Sequence, residues 1–287
     1  MHHGLFIPPF GELADPSYLG DLARRAEEAG WEGFFLWDHL VFPGVDEVLD
    51  PWIALAAAAV ATSTIRLGPM VTPLPRRRPW TLARQVAALD QLSSGRFTLG
   101  AGLGDLRGSE FATFGEELDP PTRGRILDES LSVVERLLAG DPVEHHGARY
   151  HLAATRFLPS ARQQPLPVWV AARWPKRAPL QRAASRQGVF VIDVEEPQQI
   201  EEMRGLLRRY GVGDPGFDVV VARAAGSDPH PWQAAGVTWF LAQLGPWDLR
   251  RSNVDAVVQA GPPHSSSRRQ RPDRPGLGRQ AKRGGGD

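Results

Sequence analysis

Asp38 and His39 stand side by side at the end of the apolar run Gly33–Trp37, within the stretch GFFLWDHLVF (33–42). An imidazole exchanges protons near neutral pH, so His39 suits general acid or base work. A carboxylate alongside can set the ring's tautomer or raise its basicity, and Asp38 is the adjacent candidate. The same two residues have a plainer reading, with Asp38 capping a turn and His39 a structural hydrogen-bonder.

Further candidates lie downstream. GAGLGDLRG (100–108) is glycine-rich, and Gly102 and Gly104 would let backbone approach a planar ring or a phosphate without a Cβ in the way. An ordinary strand-to-helix turn would also use them. VWVAARWPKRAP (168–179) joins small residues to Arg173, Lys176 and Arg177 at a helix start. That arrangement can hold a phosphate, or simply present a solvated helix face. PLPRRRP (73–79) either flanks an anionic ligand or faces solvent. Arg123 and Glu129 read as a structural pair on one helix. His145, His146 and His151 lack a metal-binding helix spacing, and His2 and His3 lack the HxH pattern of metal-dependent barrel hydrolases, so no metal is assigned. With no Cys in the chain, thiol nucleophiles, disulfides and Cys–zinc sites are excluded.

The elements that position these residues alternate regularly. Apolar strand-like runs fall at 4–10, 33–37, 65–71, 96–102, 167–171, 188–193, 217–224 and 237–244. Helix-like stretches follow each of them. In the first, Leu19, Leu22, Ala23, Ala26 and Ala29 recur at helical spacing, with Asp15 placed to cap, Pro16 at the first turn and Gly30 to end it. Most of the strand runs are continuously apolar, as in a parallel sheet covered on both faces. Eight β/α units over about 260 residues are the count and size of an α/β TIM barrel. An open doubly wound sheet is disfavoured, since no GxGxxG follows the first strand. Residues 141–166 break the rhythm and read as an insertion after the fourth long helix. In such a barrel chemistry sits at the C-terminal ends of the strands, where Asp38 and His39 fall.

Three blocks carry a resemblance. AEEAGWEGFFLWDHL (26–40), TIRLGPMVTPLPRRRPWTLARQVAALDQLSSGRFTLGAGLG (64–104) and RGRILDESLSVVERLLAG with VEHHGARYHL (123–152) resemble the bacterial luciferase-like family of flavin- and F420-dependent oxidoreductases. The resemblance runs from residue 4 to about 262. It implies a TIM barrel with an insertion after the fourth helix, F420 or FMN across the barrel mouth, a small organic substrate and, commonly, a homodimer. It implies catalytic roles for His39 and Asp38, and a bulge behind the flavin's middle ring at Met70, Val71 and Thr72, often with a non-proline cis bond. Gly102, Gly104, Ala171, Ala172 and Arg173 complete the implied cofactor site. The family usually has Gly-Gly where this chain has Ala171–Ala172, and the extra Cβ atoms crowd a phosphate there. Hydride transfer with F420 is the leading expectation. An FMNH₂-dependent two-component monooxygenase and a non-catalytic flavin-binding barrel are the alternatives.

The bulk numbers set outer limits. Formal net charge is zero and 42% of residues are hydrophobic, which suits a cored domain and gives no reason to expect nucleic acid. No run is long enough to span a bilayer and the N-terminus lacks a signal-peptide pattern, so a cytoplasmic protein is expected. Residues 261–287 hold six Arg and one Lys against two Asp, with almost no apolar residues. A domain over 1–262 followed by a disordered basic tail over 263–287 is expected. The tail's abrupt change of character has the look of a frameshifted or read-through end.

Overall fold

The computed structural model describes residues 1–105, 109–213, 215–247 and 249–263. Nearly all of the tail assigned to disorder, and residues 106–108 of the glycine-rich loop, lie outside the described residues. In chain order the elements are β1 (His2–Ile7), α1 (Pro16–Glu28), β2 (Gly33–Leu36), α2 (Pro51–Ala61), β3 (Arg66–Pro69), β4 (Thr72–Pro73), α3 (Pro79–Leu92), β5 (Leu99–Gly102), α4 (Ser109–Thr113) and α5 (Pro120–Ala139). They continue with β6 (Val143–His146), β7 (His151–Thr155), β8 (Val168–Arg173), α6 (Arg177–Ala184), β9 (Gly188–Ile192), α7 (Pro197–Arg209), β10 (Asp218–Ala224), α8 (His230–Ala234), β11 (Trp239–Gln243) and α9 (Arg251–Ala260).

Local chemistry explains the helix starts. Asp15 accepts from the amides of Ser17 and Tyr18, Asp50 from Trp52 and Ile53, and Asp119 from Thr122, each with a proline at the next position. An aspartate cap followed by a first-turn proline satisfies amides the helix leaves free and presets its entry.

The strands pair in parallel in the order β3-β2-β1-β11-β10-β9-β8-β5-β4. β3 and β4 are two halves of one barrel stave, split at Met70–Val71, whose peptide bond is cis. β3 also bridges Phe97, just ahead of β5, through Leu67, which closes the ring. The result is the eight-stave TIM barrel. The insertion holds the antiparallel hairpin β6–β7, with His146 opposite His151. Its anchor is Glu129 of α5, which accepts from the His145 ring and from the Arg149 and Tyr150 amides. Glu129 therefore pairs with the hairpin and not with Arg123, whose guanidinium donates to the Leu103 carbonyl and lies over the Phe111 ring.

Strand alternation sorts the core into two layers. Leu5, Ile7, Phe34, Leu36 and Val170 pack outward against the helices. Phe6, Phe35, Met70, Trp169, Phe190, Trp239 and Leu241 fill the barrel interior, where the Phe35, Trp169 and Trp239 rings lie 5.3–6.0 Å apart. This interior packing seats most of the tryptophans found in strands and leaves the upper end of the barrel to the loops.

The LDQLSSGRF segment is structural. Asp90 accepts from the amides of Arg162 and Gln163 and so ties down the chain returning from the insertion. Arg96 donates to the carbonyls of Ala59, Thr62, Ile65 and Ser93, closing the C-terminal end of α2.

Candidate active site

The alternation that builds the core also sets the site. Phe35 and Trp37 point into the barrel, while Phe34 and Leu36 point out. Carried past the strand end, where the Trp37 amide still bonds the Ile7 carbonyl, this sends Asp38 outward and His39 inward. Asp38 is buried, with 1% of its side chain exposed, and its carboxylate accepts from Trp52 Nε1 at 3.0 Å and Thr72 Oγ1 at 2.8 Å. Arg76 Nη2 lies 2.7 Å from Asp38 Oδ1, and Arg77 Nη2 lies 3.5 Å from Oδ2. Asp38 thus staples the end of β2 to α2 and to the loop before α3.

The expectation that Asp38 partners His39 is therefore corrected. The carboxylate beside the His39 ring is that of Glu110, on the short helix α4, with Nδ1 3.4 Å from Oε2. That is long for a good hydrogen bond, and Glu110 Oε2 is buried without any other partner. Its second oxygen is well held, by the Leu40 amide and by Arg76 Nη1 at 2.6 Å. Burial pushes the Glu110 carboxyl up, but the His39 ring, the Leu40 amide and Arg76 outweigh it and hold the group below its usual value. Arg76 joins both carboxylates with 4% of its side chain exposed, so the PLPRRRP run contributes a buried clamp here, not a solvent-facing loop.

The mouth of the barrel is a cavity of about 1090 Å³. Its lining includes Asp38 and His39 of the predicted catalytic pair, and Met70, Val71, Gly104, Ala171 and Arg173 of the predicted cofactor residues. Thr72, Gly102 and Ala172 do not border it. Thr72 and Ala172 are the outward members of their strands: Thr72 bonds Asp38, and Ala172 packs among the helices. Gly102 acts through close approach. A Cβ there would stand 2.9 Å from Val71 Cγ2 and 3.2 Å from the Ala171 Cβ. Gly104 has φ +80°, a backbone region that favours glycine.

Arg173 is paired with Asp193, and Arg182 with Asp128, while Lys176 and Arg177 stand at the start of α6 on the same wall. The floor carries Met70, Val71, Ala171 and Phe190. Glu110 went unread in the sequence, and Arg76 was marked only as one of the basic run at 73–79. The signal available for Glu110 was its position on the loop that follows a barrel strand's C-terminal end.

A closed parallel barrel with a His–Glu dyad at the C-terminal mouth is the layout of a TIM-barrel enzyme. The family model described as luciferase-like monooxygenase matches residues 1–283, and the chain belongs to that family. It is 30% identical over 268 residues to an F420-dependent glucose-6-phosphate dehydrogenase of Gordonia bronchialis, covering 86% of this chain and 75% of that protein. It is 35% identical over 166 residues to 4-hydroxyprotoasukamycin monooxygenase of Streptomyces nodosus subsp. asukaensis. That match covers 53% of this chain and only 44% of the relative's length. Among solved structures, coenzyme F420-dependent tetrahydromethanopterin reductase from Methanopyrus kandleri superposes with a TM-score of 0.73 over 91% of this chain and 98% of its own, at 19% identity, which shows the shared fold. Among the described residues no helix is long and apolar enough to cross a membrane.

Proposed function

We propose that the chain is an oxidoreductase that holds F420 or FMN in the barrel mouth and acts on a small organic substrate, with F420 hydride transfer the leading form. The observation that carries this reading is the His39–Glu110 dyad at the lip of the cavity. Its floor at Met70, Val71 and Ala171 is apolar, and its far wall carries Lys176 and Arg177 beside the paired Arg173 and Asp193. The floor residues Met70, Val71 and Ala171 carry no charged or hydroxyl side-chain groups, which fits a planar ring. The cationic wall fits a phosphate-bearing tail. Bound there, either cofactor would supply two-electron chemistry: hydride transfer for F420, activation of O₂ for reduced FMN.

The chain's own residues then have distinct tasks. His39 holds or accepts the substrate proton at Nε2, the ring nitrogen with no protein partner among the described contacts. Glu110 faces Nδ1 and favours the tautomer that leaves Nε2 available. Arg76 and the Leu40 amide keep Glu110 ionised and fixed. Asp38 is a positioning residue, holding the strand end that presents His39.

The monooxygenase form is supported by partial matches to 4-hydroxyprotoasukamycin monooxygenase and to limonene 1,2-monooxygenase of Rhodococcus erythropolis, 35% and 37% identical. A fluorescence titration with oxidised and reduced F420 and FMN separates the two. Tight F420 binding with FMN ignored supports the hydride-transfer form, and preference for reduced FMN supports the monooxygenase. Binding of neither at micromolar concentration favours a barrel without redox function. A cytoplasmic homodimer belongs to the same reading. The uncharged helix α2 exposes Ile53 and Val60 as a face a second copy could cover, which sedimentation analysis would test.

A further inference from the structure

The cavity is divided by chemistry around its rim. Its cations come from α5, the β8–α6 segment and β10, as Arg125, Arg173, Lys176, Arg177, Arg182 and Arg223. The arc formed by β2, β1 and β11 is different. There the lining is Phe6, Trp37, Asp38, His39, Phe42 and Gln243, and Asp38 is already bound by two arginines and two neutral donors. The arginines nearest His39, Arg76 and Arg77, are engaged with Asp38 and Glu110 and do not border the main cavity.

The rings on this arc are connected. Phe6 and Trp37 stand 5.4 Å apart by centroid, Trp37 and Phe42 5.9 Å, and His39 and Phe42 5.2 Å. Phe42 continues to Trp247 at 5.5 Å, and Trp247 is 68% exposed. A chain of aromatic faces thus runs from the barrel interior, past the imidazole and Phe42, to the exposed indole of Trp247 just beyond the lining. Aromatic walls favour apolar and planar groups through area and ring stacking. A phosphorylated ligand would find no unspent cation among the described residues of this arc, so its charge would go poorly compensated.

We infer that the substrate of this site is an uncharged, ring-bearing apolar molecule with one carbonyl or hydroxyl oxygen directed at His39, and not a sugar phosphate. This rests on the redox reading above for the role of His39, but the binding preference stands on the aromatic arc alone. The chain would then differ in substrate class from the glucose-6-phosphate dehydrogenase to which it is 30% identical.

The test is calorimetric titration of the whole protein with 2-acetonaphthone and, separately, with glucose 6-phosphate, each with and without saturating cofactor. The ketone should bind saturably and glucose 6-phosphate at least about a hundredfold more weakly. Phe42→Ala should weaken the ketone about tenfold, equivalent to roughly 1.4 kcal/mol. Trp247→Ala, at an exposed position, serves as the second variant and should weaken it in the same direction. Tighter binding of glucose 6-phosphate, or ketone binding that neither variant alters, overturns the proposal. Cofactor binding without ketone binding overturns the substrate class alone. Ketone binding without cofactor binding supports the substrate class and overturns the redox reading.

Discussion

His39 Nδ1 lies 3.4 Å from Glu110 Oε2, bringing together a strand end and a five-residue helix far apart in the sequence. The His39 ring therefore borders the cavity while its Nδ1 faces a carboxylate that does not. This pairing makes Glu110 an orienting group that acts through His39. Glu110→Gln should lower kcat about tenfold with KM little changed, whereas His39→Ala should cost about a hundredfold or more, in the range of lost acid–base catalysis. Equal losses in KM for both variants would instead assign the pair to substrate binding.

Arg76 bridges Glu110 and Asp38 with both carboxylates almost wholly buried. Removing the cation leaves Asp38 with only the more distant Arg77 and two neutral donors, and Glu110 with only His39 and the Leu40 amide. Arg76→Ala should destabilise the fold by about 3–5 kcal/mol, the cost of breaking a buried ion pair. Arg76→Met with Asp38→Asn should recover part of that loss, because only the Glu110 carboxylate then remains charged without its arginine. Urea unfolding of the single and double variants measures both.

Acid sensitivity follows from Glu110. Its carboxyl is held below the ordinary 4.5 in the folded protein, so the unfolded chain takes up a proton at higher pH than the folded one. The stability it contributes is complete above that ordinary value and is lost as pH falls through the depressed one. Thermal unfolding followed from about pH 6 down to about pH 3 should show a steeper decline in wild type than in Glu110→Gln. Parallel declines would show that other carboxylates carry the acid limb.

Gly102 is a packing requirement. A Cβ at this position would meet Val71 Cγ2 at 2.9 Å and Ala171 at 3.2 Å, both within the floor of the cavity. Gly102→Val should displace that floor, costing about 1–3 kcal/mol of stability as overpacking does and weakening cofactor binding together with it. Gly115→Ala, where an added Cβ meets nothing but φ is +65°, should lower stability without touching the cofactor. Comparing Kd and Tm for the two separates the effects.

The barrel was legible because most staves are continuous apolar runs and the Asp-Pro pairs mark helix starts at Asp15, Asp50 and Asp119. The lining of the cavity was legible only where it rides on a strand. His39, Met70, Val71, Ala171 and Arg173 follow from strand ends at a barrel mouth, but Thr72 and Ala172 turn outward. The two-residue period predicts this for Ala172, but at Thr72 the alternation slips across the cis Met70–Val71 bond, where both residues border the cavity. Glu110 was missed because α4 spans five residues, too short for any periodic signal. Arg76 was marked only within a basic run, and its buried pairing was not legible because arginines in such a run are ordinarily exposed and its partner carboxylates are distant in sequence.

The most direct test of the central claim needs no substrate. Histidine ring nitrogens can be followed by ¹⁵N NMR as F420 or FMN is added, with His39→Asn supplying the assignment. The account predicts that the His39 resonances shift with the same Kd as cofactor binding, while those of His145, held by Glu129 on the insertion, do not. Saturable cofactor binding with an unchanged His39 would contradict it.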